Sequence, residues 1–148
     1  LAQGRLGARY YDGNGVTKNY AEAVKWYRKA AEQGHAGAQV NLGICYAKGR
    51  GVLKDYADVV KWFREAADQG DADAQFNLGG NYAKGHGVLK DHATAYMWLN
   101  VASANGNSRA GSLRDDLESL MTPSQIEEGQ RLSREWTEKH PVVSEAAK

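Results

Sequence analysis

The chain has 148 residues, of which 42% are hydrophobic, and its 19 basic and 18 acidic residues leave a formal net charge of +1. This length is sufficient for one domain with its own core, and the hydrophobic fraction is that of a globular rather than a disordered protein. The near-neutral charge argues against nucleic acid as a partner, because nucleic-acid binding depends on a basic surplus. No apolar run approaches the ~18 residues that a membrane-spanning helix needs, so we expect no membrane insertion.

The most informative feature is an internal repeat with a fixed spacing of 36 residues. It predicts three repeats, over residues 1–37, 38–73 and 74–106. Because each repeat has an apolar face too large to hide alone, the repeats must stack on one another. The residues that keep this spacing are Leu6, Leu42 and Leu78; Gly7, Gly43 and Gly79; Tyr10, Tyr46 and Tyr82; Gly13, Gly49 and Gly85; Gly15, Gly51 and Gly87; and Trp26, Trp62 and Trp98.

Each repeat has the apolar pattern of two helices. In the middle repeat, apolar residues at helical spacing predict a first helix from about 36 to 48 and a second from about 56 to 69. Gly49 is suited to end the first helix, and Asp55 is suited to cap the second. Gly43, beside a leucine, leaves room for the partner helix. No segment alternates apolar and polar residues as a half-buried strand does, so we predict an all-α fold.

The repeat pattern fades after the third unit. Asn107 is placed to cap a helix from about 108 to 121. The Thr-Pro-Ser-Gln sequence that begins at Thr122 is a helix start, with threonine as the cap and proline in the first position. The helix that follows has one apolar and one charged face, as the end of a solenoid requires. We therefore predict a partial repeat and a capping helix over residues 107–140 and a frayed tail over 141–148.

The consensus of the three units, A-x-x-x-L-G-x-x-Y-x-x-G-x-G-V followed by a tryptophan, resembles the Sel1-like repeat, a TPR-like repeat with a longer, glycine-bearing turn. The resemblance covers about residues 2 to 106. It implies a right-handed α-α superhelix whose first helices line the concave side. It also implies a bacterial adaptor or scaffold that binds proteins, is not an enzyme and needs no cofactor. The resemblance leaves the localisation open between the cytoplasm, the periplasm and secretion.

Some cysteine-rich relatives of this family carry a bridged cysteine pair in each repeat and have been credited with binding penicillins. By that analogy, the alternative function is a hydrolase that acts on β-lactam or cell-wall substrates. This chain has only Cys45, so neither the bridges nor the activity should be carried over. The places equivalent to Cys45 hold Arg9 and Asn81, so we expect Cys45 to be partly exposed and to be an inert thiol.

No other motif indicates catalysis or a bound metal. The glycine triplets that begin at Gly13, Gly49 and Gly85 lack the preceding strand and the Gly-Lys-Ser/Thr end of phosphate-binding loops, so we interpret them as turns. The four histidines do not have the spacing of zinc ligands. The adjacent acidic pairs at Asp115 and Glu127 face water on amphipathic helices. We interpret the repeated tyrosines and tryptophans as packing residues.

The candidate binding residues flank the buried stripe of the predicted first helices, toward the concave side. Asn41 and Asn77 stand in line, and an amide offers a donor and an acceptor to the backbone of an extended peptide. Nearby lysines favour an acidic side chain or a C-terminal carboxylate, and Val40 and Phe76 are suited to an apolar pocket. The alternative is that these are solvated residues selected only for helix formation. The predicted peptide- or protein-binding residues are Arg5, Val40, Asn41, Ile44, Lys48, Phe76, Asn77 and Lys84.

Two further surfaces carry hypotheses about partners. Lys18, Lys54 and Lys90 precede the second helices and form a second basic row, which is suited to acidic partners. At the other end, Leu1 stands inside a predicted helix and is not a methionine, so we expect a processed or trimmed chain with any targeting segment outside it. The unsealed N-terminal face then predicts further repeats in the full-length protein, or self-association.

Overall fold

The computed structural model describes residues 2–141, and this part of the chain consists of eight α-helices with no strand. The helices are α1 (Ala2–Asp12), α2 (Tyr20–Glu32), α3 (Ala36–Lys48), α4 (Tyr56–Asp68), α5 (Ala72–Lys84), α6 (His92–Ala104), α7 (Ala110–Glu118) and α8 (Pro123–Lys139). They pair as α1 with α2, α3 with α4 and α5 with α6; each pair packs on the next, and α7 and α8 both pack on α6. The predicted all-α solenoid is confirmed. The predicted frayed tail, apart from Pro141, lies outside the described residues.

The ends of the helices are set by the residues that the sequence indicated. Asp55 has extended backbone, and its carboxylate accepts a hydrogen bond from the backbone N of Ala57 at 2.9 Å, so α4 begins where predicted. Gly49 ends α3 with a φ of 66°, in the left-handed region that other residues avoid. The outer glycines of all three triplets also have positive φ, which confirms their interpretation as turns.

Each first helix approaches the second helix of its own repeat through a glycine. A Cβ placed on Gly7 would lie 2.7 Å from the ring of Tyr27, and one placed on Gly79 would lie 3.0 Å from Leu99 Cδ2. Gly43 has the same relation to α4. These glycines therefore let the two helices pack closely enough to bury Tyr27 and Leu99 in the core.

The C-terminal part differs from a repeat. α7 has nine residues, fewer than the predicted stretch of about 108 to 121. Asn107 Oδ1 accepts hydrogen bonds from the backbone N of Arg109 and of Ala110, both at 3.0 Å, so it caps the turn that leads into α7, while Arg109 itself is the N-cap residue of the helix. α8 begins with a complete capping box. Thr122 Oγ1 accepts from the backbone N of Gln125 at 3.1 Å, and Gln125 Oε1 accepts from the backbone N of Thr122 at 2.9 Å.

Cys45 is fully buried, so the expectation of partial exposure was wrong. Its side chain belongs to a core cluster with Leu42, Tyr27 and Trp62. The comparison with Arg9 misled because α1 is the outermost helix of the described stack, and Arg9 is exposed there. α3 packs on α2 and α4, and this encloses the same position of the repeat.

The repeated aromatic residues pack against neighbouring helices. Trp62 and Trp98 are buried, and Trp26 is half-buried. The hydroxyl of Tyr46 accepts a hydrogen bond from Arg28 Nη2 at 2.8 Å, which links α3 to the second helix of the preceding repeat. These rings therefore hold repeats together, and their interpretation as packing residues is confirmed.

Candidate functional site

The first helices of the first two repeats, α1 and α3, enclose a groove, the α1–α3 groove. It consists of two adjoining cavities of about 270 Å³ and 340 Å³. Both are lined by Ala8 and Asn41, so the two cavities adjoin along the two helices. Arg5 lines the cavity between the N-terminal halves, and Ile44 and Lys48 line the one between the C-terminal halves. The structure thus brings four of the predicted binding residues together.

The groove has an uncharged middle and charged ends. Asn41 and Ala8 are half-buried at its centre, where the amide presents both a donor and an acceptor. Arg5 is exposed at one end, and Lys48 is exposed at the other, where Asp12 also lines the cavity. This arrangement can bind the backbone of an extended chain in the middle and a carboxylate at either end.

Tyr27 and Cys45, two buried titratable groups of one core cluster, keep their protons at neutral pH. Tyr27 lines the groove but is buried, and burial raises the pKa of its hydroxyl far above the usual 10.0. Burial also raises the pKa of the Cys45 thiol to about 11, although Arg50 and Lys48 act in the opposite direction. A cysteine nucleophile must ionise near neutral pH, so Cys45 serves packing and is unsuited to catalysis.

The other four predicted binding residues lie elsewhere. Val40 packs, half-buried, at the edge of the core that α4, α5 and α6 form. Phe76 is its equivalent on α5, and the guanidinium of Arg109 covers its ring at 4.5 Å from the centroid. Asn77 and Lys84 also lie on α5, one repeat beyond the two cavities. A pocket between Val40 and Phe76 stays a prediction, and its ligand would have to displace Arg109.

A ladder of buried amides was not predicted from the sequence. Gln75 Nε2 donates to the backbone carbonyl of Ala67 at 3.0 Å, and Gln75 Oε1 accepts from Asn105 Nδ2 at 3.0 Å. Gln39 is bonded in the same way one repeat earlier, with Gln69 as its donor. The signal was present, because these amides keep the 36-residue spacing. Their role is structural, since they give the carbonyls of Ala31 and Ala67, at the ends of α2 and α4, a second donor beside a backbone N–H.

Within residues 2–141, no three or more His, Cys, Asp or Glu side chains are grouped so that they could hold a metal ion. One member of each adjacent acidic pair contacts an arginine: Asp115 lies 3.2 Å from Arg114 Nη2, and Glu128 lies 2.5 Å from Arg131 Nη2. No helix in the described range combines the length and the apolar character that crossing a bilayer takes.

The family model of the Sel1 repeat matches residues 1–35, 36–71 and 72–107. The chain belongs to the Sel1 repeat family. Sel1 repeats generally mediate protein–protein interaction, so this family membership points to protein partners. It leaves the identity of the partner and the binding residues open.

Two solved structures are similar to this Sel1 repeat chain. One is a protective antigen present in uropathogenic Escherichia coli strains that displays an SLR fold, with 38% identity and a TM-score of 0.86 over 94% of this chain. The other is a Sel1 repeat protein from Oxalobacter formigenes, with 44% identity and a TM-score of 0.72 over 78% of this chain and 86% of that one. This chain spans 30% of the length of the E. coli protein. No curated protein matches this chain.

Proposed function

We propose that this chain is a non-enzymatic adaptor module that binds an extended segment of a partner protein in the α1–α3 groove. The observation that supports the proposal is that two adjoining cavities along α1 and α3 share Ala8 and Asn41 in their linings. α1 has 11 residues, which corresponds to a groove of about 16 Å. At ~3.3 Å per residue, the groove accommodates about five residues of extended peptide.

The side chains of the groove indicate what the segment should contain. The Asn41 amide can donate to a backbone carbonyl and accept from a backbone N–H in the middle of the segment. The small side chain of Ala8 leaves room there for the ligand backbone, and Ile44 offers an apolar contact. Arg5 and Lys48 favour a carboxylate at one or both ends of the segment. We therefore expect a short peptide with an aliphatic residue and terminal or acidic carboxylates.

A peptide-display selection with a blocked groove as its control tests this proposal. Peptides are selected on the wild-type chain and counter-selected on an Asn41→Arg variant, whose longer side chain fills the middle of the groove. We expect the selected peptides to bind the wild type at least about tenfold more tightly than Asn41→Arg. Ser112→Arg, which adds the same charge at an exposed position of α7, is the matched control and should bind as the wild type does. Equal affinity for wild type and Asn41→Arg would contradict the groove assignment.

The extent of the site along the solenoid is tested with single alanine variants. If the segment continues from α3 to α5, Asn77→Ala weakens binding by several-fold, as Asn41→Ala does. If it is confined to the α1–α3 groove, only Asn41→Ala has this effect. Loss in neither variant would show that the asparagine row does not hold the peptide.

No observation favours the alternative hydrolase. Its only candidate nucleophile from the analogy, Cys45, is buried and protonated at neutral pH. We expect no turnover of a chromogenic β-lactam by the pure protein. Measurable turnover that is abolished in Cys45→Ala would revive the hydrolase and contradict a purely adaptor function.

A further inference from the structure

A cleft of about 800 Å³ lies on the edge of the solenoid where the turns precede α2, α4 and α6. It is separate from the α1–α3 groove. Arg64 of α4, Tyr82 of α5 and Gln125 of α8 line it. Residues 88–91, the turn before α6, and His92 complete the lining. We call it the edge cleft.

The edge cleft exists because the repeat is interrupted after the third unit. One repeat earlier, the following turn closes the equivalent place: a Cβ on Gly87 would collide with the backbone carbonyl of Tyr56, and the ring of His86 stacks on Tyr56 at 4.7 Å. Thirty-six residues beyond this turn stand Thr122 and Pro123, which open α8 and do not form a glycine turn. The place beside His92, which is equivalent to Tyr56, is therefore left open.

The charge of the edge cleft is positive. Arg64 and Lys90 are exposed cations, and Arg64 donates a hydrogen bond to the hydroxyl of Tyr82. The lining carboxylate, Asp91, accepts hydrogen bonds from the backbone N of Thr94 at 3.1 Å and from its hydroxyl at 2.8 Å, so it is occupied as the cap of α6. Asp91 keeps its negative charge, so the cations Arg64 and Lys90 leave the lining with one positive charge in excess.

The Glu128 carboxylate of α8 is close enough to Asp91 to affect electrostatics there, but it is paired with Arg131. It therefore does not neutralise the cations of the cleft. Next to these cations stands Leu89, which is 91% exposed, so a large apolar side chain meets water at the rim. A ligand that complements this surface carries negative charge and an aliphatic group together.

We propose that the edge cleft is a second docking site, which binds an acidic segment of a partner protein. The carboxylates of the segment lie toward Lys90 and Arg64, and an aliphatic side chain of the segment covers Leu89. The pairing stabilises the complex because the exposed apolar surface of Leu89 is removed from water and the cations gain counter-charges. The adaptor would then hold two segments at once, one in the groove and one at the edge.

The repeat itself supplies matched controls for this proposal. Leu53 and Lys54 occupy the same positions one repeat earlier as Leu89 and Lys90, and Leu53 is also 91% exposed. They lie outside the edge cleft. If an acidic peptide is attracted to surface lysines in general, substitutions in either pair should weaken its binding equally. If it docks in the edge cleft, only substitutions of Leu89 and Lys90 should weaken its binding.

The probe is a fluorescein-labelled peptide of about ten residues, alternating Asp and Glu with two leucines, and its binding is measured by fluorescence anisotropy at low salt. We expect Lys90→Glu to weaken binding by about tenfold and Leu89→Ser by about fivefold, whereas Lys54→Glu and Leu53→Ser stay within about twofold of the wild type. A peptide with Asn and Gln in place of Asp and Glu should bind at least about tenfold more weakly. Lys90→Arg should retain binding, and circular dichroism verifies that each variant is helical.

Four results would overturn the proposal. Equal losses in the Lys90 and Lys54 variants would show non-specific attraction, and equal binding of the neutral peptide would show that charge is not recognised. Loss of the acidic peptide in Asn41→Arg would place it in the α1–α3 groove. Co-sedimentation with phosphatidylcholine–phosphatidylglycerol vesicles, without peptide binding, would identify the exposed leucines as membrane contacts. Retention in Asn41→Arg together with loss in Lys90→Glu supports the edge cleft, whatever the outcome for the groove.

Discussion

Gly43 of α3 lies directly against the ring of Phe63 of α4: a Cβ on Gly43 would be 2.7 Å from Phe63 Cε1, closer than real side chains come. The capping helix uses the same device. A Cβ on Gly129 of α8 would lie 2.6 Å from Tyr96 Cδ1 of α6. α8 thus packs on α6 as the first helices pack on the second ones.

The first prediction follows from this contact. Gly43→Ala forces the Phe63 ring to move in a close-packed core, and we expect it to lower the free energy of unfolding by about 1–3 kcal/mol. Gly80→Ala is the matched control, because Gly80 is also helical but a Cβ there has open space. It should be about 0.5–1 kcal/mol more stable than the wild type, since alanine loses less backbone entropy on folding. Urea unfolding followed by circular dichroism measures both, and a shift in the same direction would contradict the packing account.

The second prediction concerns the amide ladder. Gln75→Ala removes one of the two hydrogen bonds to the Ala67 carbonyl, which still accepts from the backbone N of Gly70, and it creates a buried cavity. We therefore expect a loss of about 1–3 kcal/mol in unfolding free energy. Gln33→Ala removes the exposed hydrogen bond between Gln33 Nε2 and Gln3 Oε1. Because both partners can bond to water, its effect should stay within about 0.5 kcal/mol. Similar losses in the two variants would show that burial does not determine how much these amides contribute to the free energy of unfolding.

The third prediction is a dependence of stability on pH. The pKa of the Cys45 thiol is raised by burial from 9.0 to about 11 in the folded protein, so its thiolate is favoured in the unfolded chain. Stability that is fully present below about pH 9 should therefore decline as the pH rises toward about 11. Tyr27, whose pKa is also raised by burial, acts in the same direction. Urea midpoints at several pH values should fall less steeply for Cys45→Ala than for the wild type; parallel curves would exclude a contribution from this thiol.

The fourth prediction tests the start of α8. Thr122→Ala removes the hydroxyl that accepts from the backbone N of Gln125 and should cost about 0.5–2 kcal/mol. Ser124→Ala, in the first turn of the same helix, should change stability by less than about 0.5 kcal/mol. The fluorescence of Trp136, whose ring meets that of Trp98 edge-on at 5.9 Å, reports whether α8 stays docked. Undocking in Ser124→Ala but not in Thr122→Ala would contradict the assigned capping box.

Much of the fold could be predicted because each local signal occurs three times at the same spacing. The starts of α4 at Asp55 and of α8 at Thr122 were predicted correctly, because capping depends only on side chains that are near in sequence. Cys45 was misjudged because the positions of a repeat are equivalent in sequence but not in surroundings: Arg9 lies on the outermost described helix, and Cys45 lies between two neighbours. A terminal unit is therefore a poor guide to burial in an internal one.

The candidate sites were harder to predict for related reasons. Asn41 and Lys48 were named from their place beside the buried stripe, but the sequence cannot show that Ala8 joins two cavities into one groove. Gln75 was missed because a polar residue within an apolar helix face resembles a surface residue until its carbonyl partner is known. Lys90 was part of a predicted basic row. Unlike Lys54, it lines a cleft, and this cleft exists only because the chain enters α8 where the next glycine turn would stand.

The close packing of Gly87 against the Tyr56 carbonyl also affects where residues can be inserted into such a protein. An extra residue in that turn would wedge two neighbouring units apart, whereas a Cβ placed on Gly70, in the turn at the opposite edge, would have nothing within 4 Å of it. Insertions arising in evolution, or a reporter domain grafted in the laboratory, should therefore be tolerated beside Gly70 and rejected beside Gly87. The margin with the glycine turns sets the spacing of the units, whereas the opposite margin, where Gln69 bonds to Gln39, tolerates added residues more readily.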